Sequence, residues 1–185
     1  MSNIKNIVEP IRNKKHIIAV EKYLEKKNYR NMMIWVFGIN TGLRISDILS
    51  LNVADIKNKS FVKLKEKKTR KSKIFPLNKK LKTLLKSFIK GRTDDEPLFI
   101  SQKGYRLSRN QFYVKINEAC RSVGVKETSI GTHTMRKTFG YHHYKQFKDV
   151  AILQEIFNHS SPKITLKYIG INQDEINKSY NQFEL

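Results

Sequence analysis

The chain has 185 residues, a length that suits one domain, and its 39% hydrophobic content supports a packed core and argues against disorder. Thirty-seven Lys and Arg stand against sixteen Asp and Glu, a formal net charge of +21 that points to a polyanionic partner, nucleic acid first and an anionic membrane surface second. The longest apolar run, Met32–Ile39, falls far short of the roughly 20 residues of a membrane span. The start Met1-Ser2-Asn3-Ile4-Lys5 lacks the apolar stretch of a signal peptide, and Cys120, the only cysteine, excludes an internal disulfide and a cysteine-based zinc site, so a cytoplasmic protein is expected.

Residues 14–27 put Ile17, Ile18, Val20, Tyr23 and Leu24 on one helical face after Asn13, a candidate cap. Residues 30–40 are apolar nearly all round, the pattern of a central buried helix, and should stop at Thr41-Gly42, where glycine can turn left-handed. A short helix is expected from Ile45 to Leu49. Val62 and Leu64 alternate with Lys63 and Lys65, and Ile74-Phe75-Pro76-Leu77 follows the basic stretch 67–72, which predicts a two-stranded hairpin with a basic tip. Asn78 should cap a helix carrying Leu81, Leu84, Leu85, Phe88 and Ile89 at helical spacing. Pro97–Ile100 reads as a short extended piece and Lys103-Gly104 as a turn. Helices are expected over 108–123, 132–147, 149–157, 161–168 and 173–181. The sum is an α+β domain, mostly helical, with one small antiparallel sheet.

Four segments hold the polar residues of interest. The first is Thr41-Gly42-Leu43-Arg44, where a guanidinium after a helix stop can fork onto two phosphate oxygens; taken alone, a pair with Asp47 is the commoner role. The second is the tip Glu66-Lys67-Lys68-Thr69-Arg70-Lys71-Ser72-Lys73, which by itself reads as a solvated basic loop or a generic phosphate grip. The third is His133-Thr134-Met135-Arg136, whose i, i+3 spacing puts both side chains on one face of a helix start, within reach of one anion, although a lone His–Arg pair is more often structural. The fourth is Asn158-His159-Ser160-Ser161-Pro162-Lys163-Ile164-Thr165-Leu166-Lys167-Tyr168, in which a histidine precedes a helix start and a tyrosine follows it.

In this order, from about Lys14 to Tyr180, the segments resemble the catalytic domain of the tyrosine recombinases of the phage-integrase and Xer type: Arg in a T-G-L-R turn, Lys in a β-hairpin, H-x-x-R, then a His before the nucleophilic Tyr. Two departures stand out. The family usually has Leu-Gly-His where this chain has Phe157-Asn158-His159, and asparagine is the non-glycine residue best suited to a left-handed turn. Only about a dozen residues precede the first expected helix, so residues 1–185 are expected to form a single catalytic domain with a tail helix near 171–185 and no N-terminal core-binding domain.

The resemblance implies a site-specific DNA recombinase or integrase that breaks and rejoins DNA through a 3′-phosphotyrosine. It makes Tyr168 the nucleophile, with Arg44 and Arg136 stabilising charge on the phosphorus centre and His133 acting as base and then acid. Lys68 protonates the departing 5′-oxygen, with Lys67 and Lys71 as alternatives, and His159 hydrogen-bonds a phosphate oxygen. Tyr141 and Tyr144 on the helix after His133, and Tyr180 in the tail, lack the spacing of Tyr168 from His159, and Tyr141 with Phe139 suits a core. No metal or nucleotide cofactor is implied, because the phosphotyrosine link conserves the energy of the broken bond. Double-stranded DNA is the expected partner, held by Lys63, Lys65, Lys67, Arg70, Lys71, Lys73, Arg106 and Arg109, with Lys115 in addition, mostly at phosphates. Ile171, Ile176, Tyr180 and Phe183 either pack on their own domain or dock on a neighbouring protomer in a tetramer. The alternative reading is a DNA-binding regulator on a recombinase fold that no longer cuts; a relaxing topoisomerase and an RNA-binding protein rank below it.

Overall fold

The computed structural model describes residues 8–125 and 129–184. The start Met1–Lys5 and residue 185 of the expected tail lie outside them. Nine helices and one hairpin follow in chain order among the described residues: α1 (Lys14–Lys27), α2 (Tyr29–Thr41), α3 (Ile45–Ile48), β1 (Phe61–Lys65), β2 (Ser72–Pro76), α4 (Lys79–Phe88), α5 (Arg109–Ser122), α6 (Thr134–Phe147), α7 (Val150–Phe157), α8 (Pro162–Tyr168) and α9 (Ile171–Gln182). The mostly helical α+β architecture is the expected one.

The helix boundaries have local causes. Asn28 serves two helices, its N–H closing α1 on the Leu24 carbonyl and its side chain accepting from Asn31 N at the start of α2. Asn78, Ser108, Asp149 and Ser161 accept from the third residue beyond them at the starts of α4, α5, α7 and α8. A 3-10 turn over Val53–Asp55, which hydrophobic periodicity does not reveal, is closed by Asn52 N donating to Asp55 Oδ2 at 2.8 Å. The extended piece expected at Pro97–Ile100 makes only isolated bridges, Asn52 to Pro97 and Ile100 to Arg106. The last helix starts at Ile171, where the tail helix is expected and two residues before the 173 read from periodicity, because Gly170, left-handed at φ 82°, turns the chain and Ile171 inserts into the core at 4% exposure.

The hydrophobic residues form two clusters. The larger is centred on α2, whose Met32 through Phe37 are all fully or almost fully buried, and it takes in Val20, Leu24, Ile48, Val62, Leu81, Phe99, Phe112 and Ile116. The smaller joins Tyr141 of α6 to Leu153, Phe157, Ile169 and Ile171. In the hairpin, Val62 faces Phe75 and Leu64 faces Lys73 across antiparallel strands. Four residues close its tip, with Arg70 N donating to the Glu66 carbonyl and Glu66 N to the Lys71 carbonyl, both at 2.9 Å, and Arg70 left-handed at φ 60°. No helix among the described residues is long and apolar enough to cross a membrane.

Candidate active site

The site lies where the two clusters meet, and Arg136 is the joint. In the first turn of α6 and 2% exposed, it donates from Nη1 to the Gly42 carbonyl at 2.7 Å and from Nη2 to the Phe157 carbonyl at 2.8 Å. Its guanidinium also lies 4.2 Å from the Phe157 ring centroid. One side chain therefore ties the end of α2, in the larger cluster, to the end of α7, in the smaller. Two of its five donors are committed to protein carbonyls and a third to Tyr168, which leaves two and the charge for a ligand. Gly42 is itself fixed by packing: it is left-handed at φ 62°, and a Cβ there would come within 2.4 Å of Phe139.

Arg44 follows that turn and precedes α3. Its Nη1 lies 2.9 Å from Glu66 Oε1, an ion pair without the alignment of a hydrogen bond. The pairing with Asp47 suggested by sequence is not the one formed, since Asp47 Oδ1 accepts from Lys67 N at 2.9 Å at the base of the hairpin tip. Both carboxylates are fully buried. Burial alone would raise the Glu66 pKa, but the Thr69 hydrogen bond and the charges of Arg44 and Lys73 outweigh it and hold the carboxyl below its ordinary value.

Tyr168, at the end of α8, is half-buried between aromatic neighbours. Its ring meets those of His159, Phe157 and His133 edge-on at centroid distances of 5.1, 5.6 and 6.4 Å, and the Lys137 ammonium lies 5.0 Å from its centroid. His133 Nδ1 is 3.2 Å from the Tyr168 hydroxyl. Burial raises the pKa of the phenol, opposed by the charges of Arg136 and Arg44 and a hydrogen bond to Arg136. His133 sits at the cap of α6, where burial, then repulsion from Arg136, Lys137, Lys68 and Arg44, lowers its pKa. A protonated phenol thus faces a neutral imidazole, the resting state that a base-assisted attack requires.

His159 is neutral for the same reasons: burial and the charges of Arg136 and Arg44 bring it to about 4. Its Nδ1 lies 3.0 Å from Thr165 Oγ1, and that hydroxyl donates to the Ser161 carbonyl. With the Thr165 hydroxyl turned to the Ser161 carbonyl the proton sits on Nδ1 and Nε2 carries a lone pair; with it turned to Nδ1 the tautomer reverses. To donate to a phosphate oxygen, His159 must either change tautomer by turning the Thr165 hydroxyl or take up a proton. An arriving phosphate favours uptake, because its charge offsets the two arginines.

The structure brings Arg44, His133, Arg136, His159 and Tyr168 together, and leaves Lys68 exposed on the hairpin tip, near enough for its charge to be felt at His133. Lys63, Lys65, Lys67, Arg70, Lys71 and Arg109 face solvent, as a phosphate-contacting set must. Two members of the expected DNA-contacting set have protein partners of their own. Arg106 donates to the Leu49 and Leu51 carbonyls and to Asn52 Oδ1, which fixes the 3-10 turn. Lys73 points inward and donates to the Ile156 carbonyl, and burial, with repulsion from Arg136 and Arg44 only partly offset by Glu66 and Asp47, lowers it to about 8. Strand alternation carried that signal, since Lys73 shares its face with Val62, Leu64 and Phe75. Glu66 and Asn158 carried no comparable signal.

Residues 12–175 match the profile of the phage integrase family, and the chain belongs to that family. Among curated relatives, "Probable integrase/recombinase YoeC" of Bacillus subtilis (strain 168) is 45% identical over 179 residues, covering 96% of this chain and 98% of that protein. "Tyrosine recombinase XerC" of Thermodesulfovibrio yellowstonii is 29% identical over 77% of this chain but only 50% of its own length. A crystal structure of the XerH site-specific recombinase bound to palindromic difH substrate, a post-cleavage complex, shares the fold with a TM-score of 0.72 at 18% identity, covering 98% of this chain and 55% of XerH. The chain thus spans about half the length of these two Xer proteins.

Proposed function

We propose that this chain is the cleaving unit of a tyrosine site-specific recombinase that works through a 3′-phosphotyrosine. The observation that carries the reading is the 3.2 Å approach of Tyr168 and His133, with the charges of Arg44 and Arg136 acting on both. The Tyr168 oxygen attacks a DNA phosphorus and its proton passes to His133 Nδ1. The bond from phosphorus to the 5′-oxygen breaks, and Lys68, on the exposed tip, supplies a proton to that oxygen. Arg44 and the uncommitted donors of Arg136 stabilise charge on the non-bridging oxygens. Resealing runs the same steps backward, so no metal or nucleotide takes part.

Double-stranded DNA as the partner is supported by the net charge of +21, the solvent-facing lysines of the hairpin, and the DNA-bound state of the XerH relative. Assembly on DNA through the tail is supported by exposure: Ile171 is buried, whereas Ile176, Tyr180 and Phe183 of the α9 segment are 49%, 80% and 71% exposed. The reading of the chain as a catalytic unit is supported by the match of residues 12–175 to the family profile.

A pool of nicked suicide duplexes, randomised around the nick, tests the reading. Incubation, SDS treatment and sequencing of the DNA in the resistant fraction should return an enriched site. No adduct, together with tight and salt-sensitive duplex binding, would favour the non-cutting regulator. An adduct on one duplex, with relaxation of supercoils and no synapsis of two sites, would favour a topoisomerase.

A further inference from the structure

A carboxylate on the floor of a site meant for a phosphodiester is a paradox of charge, because it repels the incoming group. Glu66 is nonetheless fully buried there. Its Oε1 faces Arg44 Nη1 at 2.9 Å, and its Oε2 accepts from Thr69 Oγ1 at 2.6 Å and from Asn158 Nδ2 at 3.1 Å. These partners come from three separate segments: the turn before α3, the hairpin tip beside Lys68, and the turn between α7 and His159. Three cations, Arg44, Lys73 and Arg136, surround the two buried carboxylates, so the floor keeps a net positive charge with Glu66 ionised. The carboxylate engages one edge of Arg44 and leaves the other donors of the fork for a phosphate.

Asn158 supports the same conclusion independently. It is left-handed at φ 53°, a conformation that glycine, the residue of the family pattern at this place, adopts without cost. The turn therefore does not need an asparagine, but the bond to Glu66 does.

We propose that Glu66 is a positioning residue that joins Arg44, the Lys68 tip and the His159 turn into one unit, with Asn158 as its link to the last. The inference rests on the reading of those three groups as cleavage machinery. The floor is then set before DNA arrives, and the repulsion of phosphate by Glu66 is the cost of holding Arg44 in place.

Single-turnover cleavage of the trapped site, measured beside duplex binding, tests this with Glu66→Gln, Asn158→Gly and the double variant. Glu66→Gln keeps the shape and should slow cleavage about 100-fold with binding unchanged. Asn158→Gly keeps the turn and should slow it about tenfold, and the double variant should be no more than about twofold slower than Glu66→Gln, since both changes cut one connection. A 5′-bridging sulfur, whose departure needs no proton, should recover about tenfold for Glu66→Gln and nothing for Asn158→Gly, a split that a general loss of folding would not produce. Wild-type or faster cleavage by Glu66→Gln would make the carboxylate a brake and overturn the proposal, as would fully multiplicative losses or equal loss with both leaving groups. A wild-type protein that forms no adduct would overturn both this inference and the cleavage reading, whereas an active wild type with an unaffected Glu66→Gln would overturn this inference alone.

Discussion

The floor of the site and its rim are built on opposite principles. On the floor, Arg136, Asp47 and Glu66 are all at or below 2% exposure, and each is anchored to a different segment of chain. On the rim, Lys67, Lys68 and Arg70 stand in solvent on a four-residue turn, with Lys71 exposed beside it. A buried charge held by fixed dipoles acts at full strength and needs no rearrangement when the reacting group arrives. An exposed lysine is screened and gains its effect only when DNA covers it. In the proposed mechanism, charge stabilisation is therefore set in advance and leaving-group protonation waits for the substrate. That division suits an enzyme that must not cut before it is loaded.

The largest effect is expected at the proposed nucleophile. Tyr168→Phe should abolish the covalent adduct while duplex binding stays at the wild-type level; gel shift and SDS trapping on the same sample measure both. Arg136→Ala should reduce cleavage about 10³-fold. It should also destabilise the fold by about 3–5 kcal/mol, because Gly42 and Phe157 lose the donor for their buried carbonyls and Glu66 loses a balancing charge. Lys68→Ala breaks the comparison from the other side: cleavage should fall about 100-fold with no change in melting temperature, and a 5′-bridging sulfur should restore it. A melting change at Lys68, or none at Arg136, would erase the distinction between the two regions.

Salt and pH sharpen the contrast. Six to ten rim phosphate contacts predict an affinity loss of about 10³–10⁵ between roughly 50 and 200 mM salt. The acid limb of the cleavage profile at subsaturating protein should fall below the ordinary histidine range of about 6.5, since His133 must be neutral to act as base and its pKa is lowered. The smallest effect is on stability. His159 has a folded-state value of about 4, below its unfolded one, so the unfolded chain takes up the proton first as pH falls. Melting temperature should drop from pH about 6.5 toward 4, and His159→Gln should make that drop shallower.

The helices and the hairpin were legible because their determinants are local. A helix apolar all round, caps at Asn13 and Asn78, and strands of alternating character each lie within a few residues of one another. Asn158 was readable as a left-handed residue, and Tyr141 as core, for the same reason. Glu66 was hidden inside a run of lysines that reads as one solvated loop, and its role depends on Arg44 and Asn158, 22 residues before it and 92 after. Lys73 and Arg106 were read from charge alone, and charge does not say which way a side chain points. Lys73 could have been placed by its register, but Arg106 could not, because its partners are backbone carbonyls more than 50 residues away.

The central claim is that Tyr168, and no other tyrosine, attacks DNA. Proteolysis of the trapped adduct, nuclease trimming and mass spectrometry of the nucleotide-bearing peptide test it most directly. The account predicts a 3′-nucleotide on Tyr168, the last residue of α8. A nucleotide on Tyr141, Tyr144 or Tyr180, or on a serine, would contradict it.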